Sequence, residues 1–215
     1  MGDIVRLRTH SNVQKMQKNN SNPLFENSVI FNKTMTPEDK AGRIRDFFIQ
    51  NENDLFFPVV HLANSLGIAV YVDDLGRIKD FQDLKGYLAI KPKAPSVIVV
   101  SEDEPYEHQR WTVAHELWHY FTHKDDRFKD MKFYAEHSLN QDITSESFTE
   151  ETDEEEKEAN RFAAELLMPE KEFKRRYREL ILKGSPLYVK KELSESFGVS
   201  QTAVRKRLMD LNLAT

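Results

Sequence analysis

The stretch 110-RWTVAHELWHYFTH-123 decides how this chain is read. It places His115 and His119 four residues apart, with Glu116 directly after the first. Residues four apart on a helix lie about one turn from each other on the same face, so the two imidazoles can aim at one point. That is the spacing of two ligands to a divalent metal. Glu116, about 100° round the helix from His115, can hold a water from the side and take its proton as it attacks a carbonyl. Apolar residues at helical spacing before and after the pair, in "WTVA" and "YF", suit a helix buried beneath a site.

The chain has no cysteine, so disulfides, thiolate ligands and zinc fingers are all excluded. Any metal must be held by His, Asp or Glu. A catalytic zinc takes three protein ligands and keeps one open position, which makes the third ligand the next question. Asp125 lies ten residues after His115, but the tight return it needs favours glycine at position 122, where Thr122 stands. A carboxylate from a second helix is the better candidate. In 154-EEEKEANRFAAELLMP-169 an acidic run precedes a stripe of Ala159, Phe162, Ala163, Leu166 and Leu167. Glu156 falls near the edge of that stripe, three residues before Ala159 and four before Asn160, whereas Glu155 and Glu158 are rotated towards solvent.

Working outward, the 215 residues suit one domain with a small appendage. Residues 1–34 are polar and Asn-rich and read as an arm. Thr36 and Pro37 open a helix by capping, and a second helix stops at Gly67. The β-rich runs "IAVYVDD", "GYLAI" and "SVIVVS" predict a small antiparallel sheet, the last as an edge strand able to pair with an extended peptide or as an internal strand. Glu104 and Pro105 start the helix that ends near His123, and Lys124 to Glu151 reads as a long polar connection. Thr152 to Glu155 match a capping box, and Pro169 closes the helix that follows. The expected fold is α+β: a metallopeptidase domain over residues 35–169 and a helical tail over 170–215.

Charge divides the chain. Residues 101–169 carry 7 Lys and Arg against 19 Asp and Glu, whereas residues 170–215 carry 11 against 6. The tail "VKKELSESFGVSQTAVRKRLMDLNL" has two helical patterns around Gly198, with Ser200 placed to cap the second. This outlines a helix-turn-helix with Val204, Leu208 and Leu211 inward and Arg205, Lys206 and Arg207 largely outward. Such a surface suits weak nucleic-acid contact, packing on the peptidase, or recognition of a protein. No stretch approaches 18 apolar residues and the first residues have no apolar signal region, so a cytoplasmic protein without a membrane partner is expected.

The two elements "QRWTVAHELWHYFTH" and "EKEANRFAAELLMP" together resemble the ImmA/IrrE family of metallopeptidases over roughly Pro37 to Pro169. The resemblance implies a minimal gluzincin-like domain binding one zinc ion through His115, His119 and Glu156, with Glu116 as general base. One departure is Trp118, where many relatives have glycine beside the second ligand. The resemblance further implies cleavage of a helix-turn-helix transcriptional repressor of a phage, mobile element or stress regulon. A non-proteolytic anti-repressor or a toxin-antitoxin component that binds a repressor or DNA is the alternative. His123, Tyr134 and His137 are candidates for stabilising the oxyanion of the transition state.

Overall fold

The computed structural model describes residues 34–51, 53–77, 84–90, 95–123, 132–137 and 153–213. Apart from Thr34, the expected N-terminal arm lies outside them, as do Asp125 and Thr152. Helix α1 (Pro37–Phe48) starts where capping chemistry puts it: the Thr36 hydroxyl accepts from Asp39 N–H at 3.1 Å, and Pro37 occupies the first turn. Helix α2 (Val59–Ser65) is followed by Gly67 at φ +76°, a left-handed turn that suits glycine.

The chain then extends through β1 (Ala69–Asp73), a single 3-10 turn at Leu75–Arg77, β2 (Leu84–Ile90) and β3 (Val97–Ser101). Helix α3 (Tyr106–His123) carries the histidine pair, and β4 (Lys132–His137) follows it. Four further helices complete the described chain: α4 (Asp153–Leu167), α5 (Glu170–Ile181), α6 (Pro186–Phe197) and α7 (Gln201–Asp210).

The α+β class is as expected, and the structure decides three details of the sheet. First, the sheet has the order β1-β3-β2-β4 and is mixed, not antiparallel as expected. Strand β2 pairs antiparallel with β3 and β4, but β1 runs parallel to β3 with Ala69 opposite Val97. Strand β2 occupies one side of β3, so β1 takes the other side, where it runs in the same direction. Second, of the two placements open to the run "SVIVVS", β3 takes the internal one and has no free edge for a substrate. Third, the connection expected to be polar between Lys124 and Glu151 contributes β4, an edge strand whose Leu88–Tyr134 and Ala89–Phe133 pairings extend the sheet.

Helix α3 lies between this sheet and α4, and every residue from Thr112 to Phe121 is buried. It comes unusually close to β2 because Gly86 has no side chain: a Cβ there would lie 2.8 Å from the Val99 carbonyl oxygen and run into Thr112. Helix α4 packs against both α1 and α3 through the predicted stripe of Ala159, Phe162, Ala163, Leu166 and Leu167, all buried.

The tail helices join the same hydrophobic core through Phe173, Leu193, Phe197, Val204 and Leu208. Gly198 is left-handed at φ 62° and Ser200 caps α7 by accepting from Ala203 N–H at 3.2 Å. Arg110 on α3 locks this turn, donating from Nε to Gly198 O at 2.9 Å and from Nη2 to Phe57 O at 3.0 Å. Arg205 and Lys206 are exposed, as the pattern predicts, but Arg207 is buried. Its Nε donates to Met168 O at 3.0 Å and its Nη2 pairs with Glu165, so it ties α7 to the end of α4. Helical spacing put Arg207 outward with Arg205 and Lys206; the carbonyl at the end of α4 and the Glu165 carboxylate draw it inward instead.

Candidate metal centre

The packing of α3 against α4 brings three donor groups together. His115 and His119 are both 1% exposed, with ring centroids 4.9 Å apart and Nε2 atoms 3.0 Å apart. Glu156 Oε2 lies 3.4 Å from His115 Nε2, and Glu156 Oε1 lies 3.5 Å from His119 Nε2. The three side chains each offer a ligand atom within 4.8 Å of the others, a group that could hold a metal ion. Bonds of about 2.0–2.1 Å in a tetrahedron separate ligand atoms by about 3.3 Å, so the observed spacings fit a small divalent ion with little rearrangement. Two nitrogens and one carboxylate oxygen also form a donor set suited to such an ion.

Glu156 occupies the first turn of α4, where the helix dipole favours negative charge. One turn on, Asn160 Nδ2 donates to the backbone carbonyl of Glu156 at 2.9 Å. The i,i+4 spacing of these two residues was the available sequence signal for this contact. Glu116 is fully buried on the turn that carries His115. Of the candidate oxyanion donors, His123 ends α3 and Tyr134 and His137 sit on β4 opposite Leu88 and Leu84; their side chains lie outside the described residues.

Trp118 finds room away from the metal cluster. Its indole is buried against Phe162 of α4, with ring centroids 5.5 Å apart, and beneath Lys40 of α1, whose Nζ is 4.7 Å from the ring centre. Burial lowers the pKa of Lys40 to about 8, partly offset by the nearby Glu158 carboxylate. The contact is a cation–π pair that joins α1 to the histidine helix.

With this geometry established, comparison with known proteins places the chain. Residues 63–209 match the model of the peptidase family described as the IrrE N-terminal-like domain. That span is well over half of the chain, and the chain belongs to this family. No curated protein matches it. Among solved structures, a Mycobacterium tuberculosis transcriptional regulator is similar at 19% identity and a TM-score of 0.47. The likeness covers 80% of this chain and 46% of that one, so this chain spans less than half the length of the regulator. Among the described residues no helix is long and apolar enough to cross a membrane.

Proposed function

We propose that this chain is a zinc-dependent endopeptidase acting in the cytoplasm, and that its substrate is a helix-turn-helix transcriptional repressor. The observation that carries the chemistry is the convergence of His115, His119 and Glu156 beside the buried Glu116. His115, His119 and Glu156 would hold the ion. Zinc supplies Lewis acidity, lowering the pKa of water to about 7 and polarising the carbonyl under attack. Glu116 takes a proton from the attacking water on its carboxylate and returns it to the leaving amine nitrogen. Burial of Glu116 keeps that transfer out of bulk water. His123, Tyr134 and His137 remain the candidates for donating a hydrogen bond to the developing oxyanion.

The repressor substrate follows from the family resemblance and is consistent with charge: the 101–169 region is strongly acidic, and a DNA-binding protein presents a basic face. Replacing Glu150, Glu151 and Asp153 by lysine therefore slows cleavage of the true substrate; an unchanged rate removes the docking role.

The decisive experiment is Glu116→Gln. Elemental analysis should find the same zinc content as in the unaltered protein, while cleavage of the repressor substrate falls at least about 100-fold. Undiminished cleavage ends the general-base assignment. Repressor inactivation that persists without cleavage favours a binding role instead.

A further inference from the structure

A cleft of about 280 Å³ is lined by residues of both ligand-bearing helices, and part of its wall comes from the C-terminal tail. Trp111 and Thr112 of α3, Asn160 of α4, and Thr202, Ala203 and Lys206 of α7 all line it. Trp111 and Thr112 precede His115 by four and three residues, and Asn160 follows Glu156 by four. One turn along each ligand-bearing helix, about 5–6 Å, therefore leads from the metal ligands into the cleft. An extended peptide advances about 3.3–3.6 Å per residue, so the side chain that reaches the cleft belongs to one of the two residues nearest the bond under attack.

The chemistry of the walls sets what fits. Trp111 is half-buried, with part of it packed on the core, and Thr112 and Ala203 are uncharged neighbours of it in the lining. The charged lining residues are Lys85, Lys206 and Glu107, with His108 beside them. Lys85 is already 4.0 Å from Glu104 Oε1. A half-buried indole beside small apolar groups favours a large apolar side chain, for which the indole supplies contact area. We propose that this cleft is the specificity subsite of the peptidase, that it takes a bulky apolar residue such as Phe or Leu, and that α7 is its outer wall. The proposal rests on the peptidase reading above and adds a role for the tail: the N-terminal half of α7, which a helix-turn-helix would present to DNA, faces the peptide instead.

The test uses the zinc-loaded full chain and quenched fluorogenic octapeptides that differ only in carrying Phe or Ala at each of the two positions on either side of the bond. The unaltered protein should prefer Phe over Ala at one of these positions. Thr202→Trp, at an exposed site that disturbs no packing, fills the cleft; the Phe to Ala ratio of kcat/KM at that position should fall about tenfold, the scale of one apolar side chain in a pocket. Trp111→Ala removes the indole and should lower the same ratio. The same peptides are also titrated against the zinc-loaded Glu116→Gln protein, with and without Thr202→Trp, by fluorescence anisotropy. There Thr202→Trp should weaken binding of the Phe peptide more than that of the Ala peptide. Absence of Phe preference in both turnover and binding, or a preference that Thr202→Trp leaves intact, overturns the subsite. Peptides that bind with the expected preference but are never cleaved support the subsite and overturn the peptidase reading instead.

Discussion

The two helices that supply the donor set are built in opposite ways. Helix α3 is enclosed on every side from Thr112 to Phe121, between the sheet and α4, and its two histidines are nearly inaccessible. Helix α4 buries one stripe and begins with exposed Asp153 and Glu154; the Glu156 side chain is 35% exposed. Packing fixes the first pair of ligands, because every neighbour of α3 would have to move with them. The third ligand sits on a first turn, where the helix has fewer internal hydrogen bonds. A rigid pair facing a more adjustable carboxylate can tolerate small changes in coordination during a reaction cycle.

The largest effect is expected at the rigid side: His115→Ala should lower zinc affinity by more than the roughly 10–100-fold that loss of an outer partner costs. Glu156→Asp, which keeps a carboxylate on the adjustable helix, should cost only about tenfold. Chelator competition measures both, and equal losses would show that α4 is as constrained as α3. Next comes packing. Leu117→Ala on α3, fully buried, should destabilise by about 3–5 kcal/mol in urea unfolding. Glu154→Ala on the outer face of α4, where its ion pairs with Lys157 and Arg161 are exposed, should stay within about 0.5 kcal/mol.

A pH-dependent effect is expected at Lys40, which sits over Trp118 of α3. Its folded pKa of about 8 lies below the ordinary 10.5, so the unfolded chain binds more protons between those values. Stability contributed by this group therefore rises with pH from about 8 to about 10.5, and is flat below 8, where both states are protonated. Lys40→Met should remove that rise. Denaturation midpoints of the two proteins that run parallel across this range would contradict the burial of a titrating ammonium.

Much of this architecture was legible in the sequence because local chemistry and tertiary need agreed. The caps at Thr36 and Ser200, the left-handed glycines 67 and 198, and the α4 stripe are each encoded within a few residues, and all appear where expected. The His115 and His119 spacing is likewise local. What could not be read is set by distant parts of the chain. Strand β4 hides inside a polar, acidic segment; the alternation in "KFYAEH" is a short signal, and only pairing with β2 makes it a strand. The parallel placement of β1 depends on which side of β3 the β2 strand occupies. The inward turn of Arg207 depends on a carbonyl 39 residues away. The approach of Glu156 to the histidines depends on how α3 and α4 pack, which no spacing within either helix specifies.

The buried guanidinium of Arg207 bears on how the molecule can be dissected. It bridges α7 to the last turn of α4 while Phe197 and Leu208 complete the interior shared with the histidine helix. Shortening the polypeptide after Pro169 would strip a wall from the interior and expose apolar side chains that the tail now covers. Recombinant fragments and fusion junctions should accordingly retain the chain through Leu213.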